Sequence, residues 1–142
     1  MTPSDCPLCS PPSDAVVAES DLVRAIRDRY PVTHGHTLVV PKRHVESVFD
    51  LAADEWRELW SLVRRIREER DEFQGKDANI GVNDGAAAGQ TVAHAHVHVI
   101  PRVAGDVRDP RGGIRWIVPV SADYWSPRSG DEGEGGEGAE AP

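Results

Sequence analysis

The chain has 142 residues and a mass of 15.5 kDa, the size of one compact domain that can bury a core without disulfide staples. Hydrophobic residues at 39% and charged residues at 28% exclude wholesale disorder, and no apolar run approaches the roughly 20 residues of a membrane-spanning helix. The charge balance of 16 − 24 = −8 comes without a basic stripe, which argues against nucleic acid as a partner but not against a small anionic ligand held by histidines and local dipoles.

Residues 1–10 carry no basic start, no apolar stretch and no small-residue cleavage pattern, so a cytoplasmic location is expected. Cys6 and Cys9 are the only cysteines. They are too few for a disulfide framework, and their Cys-x-x-Cys spacing points to a metal rather than to a redox pair, because no strand precedes the motif. Residues 15–19 (AVVAE) read as a strand, Ser20 and Asp21 as a turn, and residues 22–26 as its hairpin partner. Residues 37–40 (TLVV) make a third strand that Pro41 stops, and a short helical turn is expected over 45–50.

The strongest helix signal covers 54–73, where Trp56, Leu59, Trp60, Val63 and Ile66 recur at steps of three and four and Phe73 extends the face. Gly75 marks its end. Residues 79–83 read as a fourth strand, 85–89 (GAAAG) as a loop and 91–101 as a fifth strand. This order argues an α+β domain over 1–125, with a five-stranded, mainly antiparallel sheet, one long helix and one short one. Residues 126–142 hold five acids (Asp131, Glu132, Glu134, Glu137, Glu140) against Arg128, and this Gly- and Glu-rich composition predicts a disordered acidic tail.

Three of the six histidines fall within five residues, His94, His96 and His98, alternating with Ala95 and Val97. On a strand this spacing sets the three imidazoles on one face and the apolar residues on the other. Direct ligation of one ion by all three is strained, since His94 and His98 stand about 13 Å apart at ~3.3 Å per residue against metal bonds of ~2.0 Å. Nucleophilic and acid–base chemistry suits imidazole better.

The run His94-Ala95-His96-Val97-His98-Val99-Ile100, with Asn83-Asp84-Gly85 and Gly89-Gln90-Thr91-Val92 before it, Pro101-Arg102 after it and residues 35–44 (GHTLVVPKRH) upstream, resembles the histidine triad family of nucleotide hydrolases and transferases. The resemblance covers residues 6 to about 120, and residues 104–106 and 112–119 look most like the bacterial dinucleoside polyphosphate hydrolase branch. It implies the HIT-like fold and an enzyme acting at the α-phosphate of AMP-type substrates, dinucleoside polyphosphates or nucleoside phosphoramidates. His96 would form a nucleotidyl-histidine intermediate and His98 would hydrogen-bond a phosphoryl oxygen. Asn83, Gln90 and Thr91 would serve the phosphate and its loop, Asp28 the ribose hydroxyls, and Ile26 and Leu38 the base. By the same resemblance a structural zinc would sit on Cys6, Cys9, His44 and His94, and the chain would form a homodimer through the helix and the strand before the triad. The alternative from another class is a regulatory purine-nucleotide-binding module without useful turnover.

Overall fold

A computed structural model of the chain describes residues 2–127; the expected acidic tail lies, from residue 128 onward, outside the described residues. The chain divides into two compact units, Met1–Val107 and Arg108–Pro142. The first holds the sheet, β1 (Val16–Glu19), β2 (Val23–Arg27), β3 (Thr37–Pro41), β4 (Asp77–Gly81) and β5 (Val97–Arg102), and the helix α1 (Ala53–Glu69). The five strands lie in the order β1-β2-β3-β5-β4, every neighbouring pair antiparallel. No helix among the described residues is long and apolar enough to cross a membrane.

The two faces of the sheet do different work because side chains alternate along each strand. Val23 and Ala25 of β2, Val39 of β3 and Val97 and Val99 of β5 pack against Leu59, Leu62, Val63 and Ile66 of α1 to form the main core. On the opposite face Ile26, Leu38 and Val40 meet Cys6 and Leu8 of the N-terminal segment. Helix and core are thus on one side, and the N-terminal segment with the histidines' open space on the other.

Most boundaries shift by a residue or so from the sequence reading, and a few differ by more. α1 ends at Glu69, not at residue 73, because Arg70 turns extended and a 3-10 turn, Asp71–Phe73, follows. Phe73 is still fully buried in the core; beyond the break Gln74 donates back to the Glu68 carbonyl, one of the last of the helix, at 2.9 Å, and Arg67 reaches forward to the Lys76 carbonyl at 2.6 Å. The inward face is also rotated. Trp56 and Trp60 remain 39% and 36% exposed, while Leu62 and Glu55 are buried; Glu55 tolerates this because its carboxylate accepts from Arg43 at 2.7 Å and from the Ala52 N–H at 2.9 Å. β5 begins at Val97, not residue 91, since the Ala95 N–H bonds to the Val45 carbonyl and the His94 carbonyl is taken by the His96 ring. The fourth strand sits two residues earlier than expected, which leaves Asn83 in a loop. The short helix appears as a 3-10 turn, Val48–Asp50, capped by Ser47.

The second unit consists, over its described residues, of the 3-10 turns Gly113–Ile117 and Pro119–Ser121. Arg115 ties them together by donating to the carbonyls of Ser121 and Ala122 at 2.7 and 3.0 Å.

Candidate active site

The early end of the β5 ladder splits the histidine row. Only His98 lies within a strand; its neighbours Val97 and Val99 are fully buried against the helix side, so His98 faces the other way. His96 and His98 line a cavity of about 920 Å³, together with Asp28, Asn83, Thr91 and the apolar side chains of Ile26 and Leu38. His94 points elsewhere, into the cysteine cluster. The picture of three imidazoles in one strand row is therefore corrected to two in the cavity and one at the metal-type site.

The hydrogen-bond network assigns the ring protons. His96 donates from Nδ1 to the His94 carbonyl at 2.7 Å, which places the lone pair of the neutral tautomer on Nε2. His36 accepts from the Val32 N–H at Nδ1, 3.2 Å away, so its proton is on Nε2, 2.9 Å from His98 Nδ1. His98 therefore accepts at Nδ1 and carries its own proton on Nε2. Burial, with the neighbouring rings of His96 and His36, pushes His98 down to about 4; burial also lowers His36, against the pull of Asp28. His98 is thus a neutral imidazole of fixed tautomer that offers an N–H, beside the Nε2 of His96.

Asp28 accepts from the Tyr30 N–H through Oδ1 at 2.8 Å, and its Oδ2 lies 3.3 Å from His36 Nε2. Gln90 does not line the cavity. Its carboxamide accepts from the Gly85 N–H at 2.7 Å and donates to the carbonyls of Glu46 and Val92 at 2.8 and 3.0 Å, which braces the 85–92 loop that carries Thr91. His36 completes the network, yet its sequence neighbourhood gives it no distinct signal. It acts through the pairing of Leu38 opposite His98, a register that spans the chain.

Cys6, Cys9, His44 and His94 converge so that one ligand atom from each lies within 4.8 Å of the others. Cys6 Sγ and Cys9 Sγ each stand 3.5 Å from His94 Nδ1, Cys9 Sγ is 3.2 Å from His44 Nδ1, and the two Nδ1 atoms are 3.3 Å apart. A tetrahedral zinc with ~2.3 Å bonds to sulfur and ~2.0 Å bonds to nitrogen has S···N edges of about 3.5 Å and an N···N edge of about 3.3 Å. The donor set fits such an ion. His94 donates from Nε2 to the Pro41 carbonyl at 2.8 Å, which turns its Nδ1 lone pair to the cluster, as an outer partner does for a metal-bound histidine.

An antiparallel sheet backed by one helix, with a cavity and two tautomer-locked imidazoles on its other face, defines the class to which the protein belongs. The HIT domain model matches residues 12–105, and the chain belongs to this histidine triad family. It is 43% identical over 115 residues to Protein hit of Bacillus subtilis, covering 80% of this chain and 75% of that one. It is 38% identical over 97 residues to the asymmetrical bis(5'-nucleosyl)-tetraphosphatase of Schizosaccharomyces pombe, covering 68% of this chain but 53% of that protein, about half its length. A zinc-bound histidine triad family protein from Mycobacterium smegmatis shares the fold at a TM-score of 0.64 and 32% identity, over 77% of this chain and 86% of that one.

Proposed function

We propose that the protein hydrolyses or transfers nucleotidyl groups at the α-phosphate of AMP-type nucleotides, dinucleoside polyphosphates or nucleoside phosphoramidates. The observation that carries this reading is the 2.7 Å bond from His96 Nδ1 to the His94 carbonyl, which aims the Nε2 lone pair of the neutral tautomer into a nucleotide-sized cavity. That lone pair attacks the α-phosphorus; the N–P bond forms as the bond to the leaving group breaks. Water then attacks the same phosphorus, the N–P electron pair returns to Nε2, and the water's proton passes to solvent. Splitting one displacement into two lowers each barrier. His98 Nε2–H bonds a phosphoryl oxygen where negative charge develops. Asn83 and Thr91 contact the phosphate and the leaving group, Asp28 accepts from the ribose hydroxyls, and Ile26 and Leu38 flank the base, with Gln90 holding the loop.

Cys6, Cys9, His44 and His94 hold a structural zinc in this reading, supported by their tetrahedral spacing and by the zinc-bound relative. The ion supplies folding energy and takes no part at phosphorus. Purified protein assayed on a panel of adenylate derivatives tests the activity. His96→Ala is expected to keep the fold and lose several orders of magnitude in turnover, and early-quenched wild type to carry an acid-labile nucleotidyl adduct. Binding of the panel with no turnover by wild type would establish a binding module instead.

A further inference from the structure

Arg24 sits in β2 directly opposite Val40 of β3, and residues opposite one another in an antiparallel pair share a face. That face is the one on which Val40 packs with Cys6. One residue along β3, the Pro41 carbonyl holds the ring of His94. The Nε–H of Arg24 is buried there without a hydrogen-bond partner among the described residues. Its guanidinium makes no ion pair among them either: Glu19, its cross-strand neighbour on β1, pairs with Lys42 at 3.4 Å. Arg24 is also absent from the lining of the nucleotide cavity, so substrate is not the missing partner.

A buried donor left unpaired is costly and calls for an acceptor that another state of the protein supplies. Metal loading supplies one. Ligating cysteines are thiolates and ligating histidines are neutral, so loading converts two weakly accepting thiols on this face into two anionic sulfurs.

We propose that Arg24 is a positioning residue of the Cys6–Cys9–His44–His94 metal site, donating through its guanidinium to a ligating cysteine sulfur. The proposal rests on the zinc reading above, which it deepens. The Arg24 Nε–H lacks an acceptor, and a thiolate sulfur of the loaded site is the acceptor that its place on this face offers, so the side chain stabilises the loaded site.

Full-length wild type, Arg24→Met and Arg24→Lys are compared by zinc competition against a chromophoric chelator, by cobalt substitution and by melting with and without metal. Methionine keeps an apolar stem and removes the donors. Arg24→Met is expected to weaken zinc binding by roughly 10- to 100-fold, the usual effect of losing an outer partner, and to move the sulfur-to-cobalt charge-transfer band to lower energy. Its metal-free melting temperature should be equal to or above that of wild type, an effect opposite in sign to simple loss of packing. Equal affinity and an unmoved band in a variant that binds metal would overturn the proposal. If Arg24→Met shows no melting transition, Arg24→Lys decides, because it lacks the Nε–H: a shifted band and weaker binding support the assignment, and wild-type values refute it. Wild type that takes up no zinc overturns the zinc reading and this assignment with it.

Discussion

His98 shows how burial turns a common residue into a specialised one. Its ring stays neutral down to about pH 4 in the folded protein against an ordinary value of 6.5, so between those values the unfolded chain binds a proton that the folded chain refuses. The contribution is fully present above pH 6.5, declines as the pH falls through this window and levels off below pH 4. His36, lowered in the same direction, adds to the effect. Urea unfolding at pH 7, 5.5 and 4.5 is expected to show wild type losing stability on acidification more steeply than His98→Asn. Equal slopes would mean that His98 is not held neutral.

At the scale of elements, the periodicity that made 54–73 legible as one helix reports which residues face the core, not whether the backbone stays helical. Phe73 is buried as its spacing implied, but it arrives there on a 3-10 turn after the chain breaks at Arg70. Replacing it by alanine is expected to cost about 3–5 kcal/mol, the range for a deleted core aromatic, measured by denaturant unfolding; a loss near zero would place it outside the core. The histidine row was legible as chemistry because three alternating imidazoles make poor packing material. Its division between cavity and cluster was not visible in the alternation and came only with the resemblance, which put His94 on the metal and His96 and His98 at the phosphate, because the bond from the Ala95 N–H to the Val45 carbonyl depends on a distant segment of the chain. The role of His36 was hidden for the same reason, and the bracing of the loop by Gln90 was implied by the resemblance alone. One acts through strand pairing and the other through carbonyls of Glu46 and Val92, and local pattern contains neither.

For the whole molecule, the sheet leaves β4 at its edge, with Ile80 38% exposed on it. Beside the core, Phe49, Trp56 and Trp60 form an aromatic series with ring centroids 6.4 and 6.0 Å apart that the helix does not bury. An edge strand and uncovered aromatics are what a self-complementary twofold contact uses. A homodimer through α1 and β4 is accordingly expected. Light scattering at micromolar concentration should give twice the chain mass for wild type and a lower mass for Trp60→Glu. A mass near 15.5 kDa for wild type rules the dimer out, and a dimer indifferent to Trp60→Glu places the contact on another element.

The cysteine–histidine cluster joins parts of the chain that are far apart in sequence: Cys6 meets His94 across 88 residues and Cys9 meets His44 across 35. Contacts that close such long loops pay their chain entropy late, after shorter-range pairing has brought the strands together. An ion held there acts as a clasp on the finished structure, absent from the folding nucleus, and interactions of that kind slow unfolding while leaving the folding rate almost unchanged. Stopped-flow measurements with zinc or with a chelator should move only the unfolding limb of the chevron. Cys9→Ser should place that limb where the chelator does, and zinc that accelerates refolding instead would show that the clasp closes early.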